Sequence, residues 1–291
     1  MNLLAKAAPA IFVLLWSTGF IGSKLGAPYI EPMVFLTVRF LAVIPVLLVL
    51  AVPLVKVWPK SLVAILHCVI TGMLVHGVYL GGIFWAIKQG MPAGASSIIV
   101  GLQPVLTAMI AVSMLGESIS RKHWLSMAIG AAGLALVLGP KFDHTGTGIT
   151  TVTVTVAFVS VLAISLGTVY QKRFVPNTDL LAATVWQYVG ALLVTIPLSL
   201  FESWQITWSG ELVFAMAWLV IVLSVGAILL LMLLIRQGAV SQVASLFYLV
   251  PVATAVESYF LFDETLLPIQ IAGMGLVIGA VLTIRGAARK G

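Results

Sequence analysis

The chain has 291 residues, of which 61% are hydrophobic and 8% charged, with 15 basic and 9 acidic side chains and a formal net charge of +6. A soluble domain carries about 25% charged residues, so so few charges exclude a soluble enzyme, while the apolar content excludes a disordered chain and the single cysteine, Cys68, excludes a disulfide scaffold. The solvent that suits this composition is lipid. The basic excess then reads as membrane topology rather than nucleic-acid binding, because Lys and Arg gather in cytoplasmic loops.

A membrane helix needs about 20 apolar residues. In chain order, apolar stretches fall at 8–26, 32–55, 61–87, 93–115, 121–139, 150–171, 179–201, 211–235, 240–262 and 266–284, ten in all. They are continuously apolar rather than alternating, so helices are expected and not the strands of a barrel. Segment 149–156 does alternate, but no neighbour supplies a sheet, and it is read as the start of the sixth helix. The first stretch reads as a span rather than a cleaved signal, since its basic n-region is weak and no cleavage site is clear. Connections are short and carry turn signals such as Trp58-Pro59-Lys60 and Gln89-Gly90-Met91-Pro92.

Placing the N-terminus in the cytoplasm puts eleven basic residues inside: Lys6, Lys56, Lys60, Arg121, Lys122, Lys172, Arg173, Arg236, Arg285, Arg289 and Lys290. Three fall outside (Lys24, Lys88, Lys141), and Arg39 lies within the second span. This bias predicts a multi-pass protein with both termini cytoplasmic; the membrane expected for it is a bacterial-type inner (plasma) membrane.

The chain also repeats itself. A shift of 148 carries Ser17, Gly19, Lys24 and Pro28 onto Ser165, Gly167, Lys172 and Pro176, and Lys88-Gln89-Gly90 onto Arg236-Gln237-Gly238. After a one-residue gap the shift is 147, and Pro104, Thr107, Glu117 and Gly139 meet Pro251, Thr254, Glu264 and Gly286. Two units are expected, 1–142 and 149–291, each with five spans. An odd number inverts the second unit in the membrane, so the expected fold is an all-α polytopic bundle of two inverted five-helix repeats. Such symmetry implies alternating access, with the substrate near the midplane between the repeats.

The segment Leu15-Trp16-Ser17-Thr18-Gly19-Phe20 resembles the opening of EamA-type members of the drug/metabolite transporter superfamily. So do Ala95-Ser96-Ser97 through Gln103-Pro104-Val105-Leu106-Thr107, Leu115-Gly116-Glu117 before Arg121, and Phe262-Asp263-Glu264. Within that superfamily the chain is similar to the YddG-like aromatic amino-acid exporters. The resemblance covers the whole chain. It implies a basket in which spans one to four and six to nine surround a cavity, with spans five and ten peripheral. Those two are Gly-rich (Gly130, Gly133, Gly273, Gly275, Gly279), which suits close helix packing within the molecule or a homodimer contact.

Matched helix breaks are the strongest sequence pointer to a transporter site, which makes Pro104 and Pro251 hinge candidates. Polar residues in a bundle tend to face its interior, and an aromatic wall stacks on flat side chains or holds cations. The candidate substrate-binding residues are therefore Trp16, Ser17, Tyr79, Ser97, Gln103, Ser165, Trp186, Ser245 and Tyr248. Arg39, His76 and Glu257 are ionisable residues inside spans, functional candidates by default. Arg39 reads either as a partner for a substrate carboxylate or as a bridge to Glu257. Glu257 and His76 are candidate proton carriers, with His76 also readable as a packed neutral ring. Arg39 has Gln187 as its mate in the second repeat.

No Gly-x-Ser-x-Gly elbow, His-Glu-x-x-His pair or Walker loop occurs, so no enzyme activity, cofactor, metal or ATP binding is expected. The partners expected are a small-molecule substrate and the bilayer, with no nucleic acid. The function expected is secondary export of amino acids, aromatic or otherwise neutral, or similar metabolites. Export of cationic drugs and, as a different class, a membrane enzyme acting on lipids are the alternatives.

Overall fold

The computed structural model describes residues 3–116, 120–138, 148–176, 178–227, 230, 246, 249–263 and 267–288, without the side chains of 3–6, 123, 134, 137–138 and 281–288. All the regular structure among them is helical. The helices are α1 (Leu3–Gly26), α2 (Pro32–Leu54), α3 (Leu62–Lys88), α4 (Ala93–Val100), α5 (Gln103–Leu115) and α6 (Arg121–Leu138). They continue with α7 (Thr151–Phe174), α8 (Leu180–Ser199), α9 (Gly210–Ala227), α10 (Val250–Phe262) and α11 (Pro268–Ala288). Seven helical stretches are long and apolar enough to cross a membrane, with α4 and α5 counted as one, and shorter apolar stretches lie in α6, α10 and α11. In lipid a helix satisfies its own backbone, so continuous apolar runs settle into this form.

The helix starts follow local chemistry. Ser61, Thr150, Asp179 and Ser209 cap α3, α7, α8 and α9 by accepting backbone N–H groups. Thr150 and Thr153 form a reciprocal capping box, so the alternating segment 149–156 enters the membrane as a helix. Helix α2 has Pro32 in its first turn, and its Met33 and Val34 N–H groups donate to the Glu202 carboxylate at 3.0 and 2.8 Å. Glu202 belongs to the α8–α9 connection. The α1–α2 connection is joined to it by Ser203 Oγ donating to Glu31 (2.8 Å) and Thr207 N donating to the Tyr29 carbonyl (3.0 Å), and to the first turn of α9 by Tyr29 bonding Glu211. One end of the bundle is thus clasped across the two sequence units.

The fourth predicted span is broken. Helix α4 stops at Val100, Gly101-Leu102 turn, and α5 restarts with Pro104 in its first turn. Helix α10 likewise carries Pro251 in its first turn after Leu249. Both prolines therefore open a helix where their missing N–H costs nothing, rather than kinking one from within. The two restarts touch: a Cβ on Gly101 would lie 3.0 Å from Pro251 Cγ. Helices α5 and α10 also end alike, on left-handed residues Gly116 and Asp263, 147 positions apart.

Two apolar cores lie side by side. One gathers Phe12, Phe20, Tyr79, Ile83, Ile99 and Ile164 from α1, α3, α4 and α7. The other gathers Phe35, Phe40, Leu47, Tyr188, Leu192 and Leu219 from α2, α8 and α9. Helices α3 and α8 approach to backbone contact, since a Cβ on Gly72 would lie 1.9 Å from the Gln187 carbonyl oxygen and one on Gly190 2.1 Å from that of Val69. Helices α6 and α11 pack against each other within the molecule, Gly133 against the Gly273 carbonyl. Large side chains such as Val49, Leu125, Phe201 and Phe260 face outward, as in a protein solvated by lipid.

Candidate functional site

The candidates Arg39, His76 and Glu257 fall into two groups. The first lies where α2, α3, α8 and α9 meet. Both α3 and α9 widen there into π-helix, over Met73–Val78 and Trp218–Ala227. A π-turn shifts the helix register and is frequent at functional sites. In α3 it presents His76, and in α9 Ser224.

Arg39, 2% exposed, donates from Nη2 to Ser224 Oγ at 3.1 Å, and Ser224 donates onward to the Leu219 carbonyl at 2.9 Å. His76 Nε2 lies 3.3 Å from Gln187 Oε1, and its ring stacks on Tyr188 at 4.7 Å between centroids. Tyr188 in turn packs on Phe40. These two polar pairs are related by the sequence shift: Gln187 is the mate of Arg39, and Ser224 the mate of His76, each 148 positions away. Each pair thus joins the mate of one residue to the mate of the other. Arg39 Nε and Nη1 are enclosed and have no hydrogen-bond partner. A buried cation with two idle donors is costly unless an anion visits it.

The second group lies between α1 and α10. Ser17 Oγ is 2.6 Å from Glu257 Oε1 and 2.8 Å from the Leu14 carbonyl, while Glu257 Oε2 is enclosed without a partner. On the neighbouring face of α1, Thr18 accepts from Trp218 Nε1 at 2.8 Å, tying α1 to the π-turn of α9. About two helical turns further along α1, Lys24 sits 4.3 Å over the Phe262 ring.

Arg39 and Glu257 do not bridge. Arg39 bonds Ser224 and Glu257 meets Ser17, because α2 packs on α8 and α9 whereas α10 packs on α1 and α4. Of the other candidates, Ser97 donates to the Gly94 carbonyl of its own helix at 2.8 Å, and Ser165 reaches the Gln103 carbonyl at 3.3 Å. The Gln103 side chain is buried, with Oε1 unpartnered. Trp16 packs on Phe12, Tyr79 lies in the first core, and Trp186 packs on Cys68, Val175 and Ala183 with Nε1 unpartnered. Trp16 and Tyr79 thus share the first core, while Trp186 belongs to a separate cluster. Ser245 and Tyr248 lie outside the described residues. Pro251 lines an apolar crevice with Gly101, Leu102, Val105, Gly130 and Met274, and Pro104 falls between two of these residues in sequence.

A chain of this composition with two such matched polar centres invites comparison with membrane transporters. The profile of the EamA-like transporter family matches twice, over residues 7–139 and 151–286. The chain belongs to the EamA-like transporter family. This EamA-like chain is 28% identical over 284 residues to the uncharacterized transporter YvbV of Bacillus subtilis (strain 168), covering 94% of this chain and 89% of the relative. It is 23% identical over 281 residues to a probable amino-acid metabolite efflux pump of Salmonella typhimurium, covering 93% and 91%. It is 25% identical over 201 residues to an S-adenosylmethionine uptake transporter of Rickettsia prowazekii, covering 68% and 65%. A solved crystal structure shares the fold with TM-score 0.73 at 18% identity, covering all of this chain and 99% of the other. The resemblance drawn from Leu15–Phe20 and the Gln103-Pro104 block is borne out, and the EamA-like chain is a multi-pass membrane protein with bacterial transporter relatives.

Sequence reasoning missed Ser224, Trp218 and Glu202. The shift of 148 does pair His76 with Ser224, but the two residues differ in type, so the match carried no signal.

Proposed function

We propose that the chain is a secondary transporter that exports amino acids or similar small metabolites by alternating access. In this reading 1–142 and 149–291 are inverted repeats of five spans each, and both termini face the cytoplasm. The observation that carries it is the reciprocal pairing of Arg39 with Ser224 and of Gln187 with His76 across matched π-turns. Mated residues that meet in reciprocal pairs are what a two-fold arrangement of repeats gives, and such an interface is where substrate sits in inverted-repeat transporters. The naming of relatives as an amino-acid metabolite efflux pump and an S-adenosylmethionine uptake transporter supports a small metabolite as cargo.

Once α2 and α9 part and Nη2 leaves Ser224, Arg39 offers a substrate carboxylate a bidentate partner through Nη2 and either Nε or Nη1. Trp16, Ser17, Tyr79, Ser97, Gln103, Ser165, Trp186, Ser245 and Tyr248 supply the remaining polar and aromatic lining, and the helix restarts at Pro104 and Pro251 the hinges. The test is counterflow in proteoliposomes with a panel of labelled neutral amino acids. Trans-stimulated uptake of at least one, lost in Arg39→Met, is expected. Chemical turnover of lipid without flux of any amino acid overturns the reading in favour of a membrane enzyme.

A further inference from the structure

We infer that Glu257 and Ser17 form a proton-binding site on the α1–α10 seam, through which export is coupled to a proton gradient. The coupling rests on the transporter reading above; the proton site does not.

The argument is a count of hydrogens. Ser17 is fully buried, and its Oγ faces two oxygens, the Leu14 carbonyl at 2.8 Å and Glu257 Oε1 at 2.6 Å. A serine hydroxyl brings one hydrogen, and a carbonyl brings none. If the Ser17 hydrogen points to Leu14, the shorter contact needs a hydrogen from Glu257. A protonated carboxyl that donates to Ser17, while Ser17 donates to Leu14, supplies each contact with one hydrogen. An ionised carboxylate leaves one of the two contacts as bare oxygen facing oxygen.

The surroundings agree. Glu257 Oε2 is enclosed with no donor, tolerable for the carbonyl oxygen of a neutral acid and costly for an ionised one. Helix α4, packed on α10, carries no ionisable side chain over Ala93–Val100. Helix α1 offers Lys24, which lies over Phe262 beyond Ser17. No ion pair to Glu257 is formed among the described residues, so the proton is the counter-charge at hand. The residue as a whole is only part-buried, which leaves its proton a way out.

Release follows without other chemistry. As the seam opens, the Glu257 O–H bond gives its proton to water. The Ser17 hydroxyl then turns from Leu14 to the carboxylate, and the Leu14 carbonyl keeps the backbone bond of its own helix. The mated seam between α5 and α7 has Ser165 on the Gln103 carbonyl and Ile110 where Glu257 stands, so the proton site occupies one of two related seams.

Two measurements on the full chain test this. Infrared spectra of the purified protein at neutral pH are expected to show a protonated-carboxyl band that moves in heavy water, disappears in Glu257→Gln, and shifts in Ser17→Ala with Glu257 intact. A band unchanged by Glu257→Gln, or none in the parent, overturns the proton site. In proteoliposomes, labelled phenylalanine should accumulate against its gradient when a pH gradient is imposed. Glu257→Gln should abolish that accumulation yet keep phenylalanine counterflow without a gradient. Gradient-driven accumulation retained in Glu257→Gln overturns the coupling. Absence of phenylalanine counterflow from parent and variant alike counts against phenylalanine as cargo, and the infrared result still decides the proton site.

Discussion

Replacing Arg39 by methionine should leave the protein as stable as before, or more so, while removing its transport. Arg39 is 2% exposed and makes one hydrogen bond, to Ser224. That bond to a charged group is worth about 1.5–3 kcal/mol. Against it stands the desolvation of a guanidinium with two unpartnered nitrogens, several kcal/mol per buried ion. Ser224 keeps its bond to the Leu219 carbonyl when the arginine goes, so no new orphan is made. Methionine fills much of the same slot with a flexible apolar chain, and exchanging buried charge for packed apolar side chains is often stabilising by about 1–4 kcal/mol. Arg39→Ala is the contrasting variant: it leaves a cavity between α2 and α9 and should cost about 2–5 kcal/mol. The assay is paired, with thermal unfolding in detergent followed by tryptophan fluorescence, and counterflow normalised to folded protein. Losing a charge-assisted contact to a carboxylate, worth about 2 kcal/mol, corresponds to roughly thirtyfold weaker transport. Arg39→Met destabilised by more than about 2 kcal/mol, with transport per folded molecule intact, would refute the reasoning and make Arg39 a brace.

Gly72→Ala drives a methyl to 1.9 Å from the Gln187 carbonyl oxygen and should cost about 1–3 kcal/mol or more by overpacking. Gly275→Ala, which meets nothing within 4 Å, should be neutral or slightly stabilising in the same melt. Burial holds the Glu202 carboxyl above its ordinary 4.5, in spite of the Val34 and Met33 N–H groups, so the folded chain binds this proton more tightly than the unfolded one. The stability it contributes is full below 4.5 and lost as pH rises through the raised value; Glu202→Gln should flatten the melting temperature across that window. In a Cys68→Ala background, membrane-impermeant maleimide applied to intact cells should label Gln205→Cys and spare Lys60→Cys; the reverse pattern would invert the proposed orientation.

The sequence by itself determined where most of the described helices lie, though not the break at Gly101-Leu102. Apolar length and capping chemistry are local, so Ser61, Thr150, Asp179 and Ser209 mark starts that hold whatever the helices pack against. It also determined the internal repeat, since Lys-Gln-Gly and the two prolines recur in order. Only the tertiary structure decided which buried polar groups meet. Arg39 had a carboxylate on offer in Glu257, yet the packing of α2 on α9 gives it Ser224, and the packing of α10 on α1 gives Glu257 to Ser17. The π-turns that aim His76 and Ser224 have no compositional mark, being a register shift inside uniformly apolar helices. Pairing across a bundle depends on helix rotation and depth, and in an aliphatic background a single residue in the wrong turn changes the partner without changing the pattern.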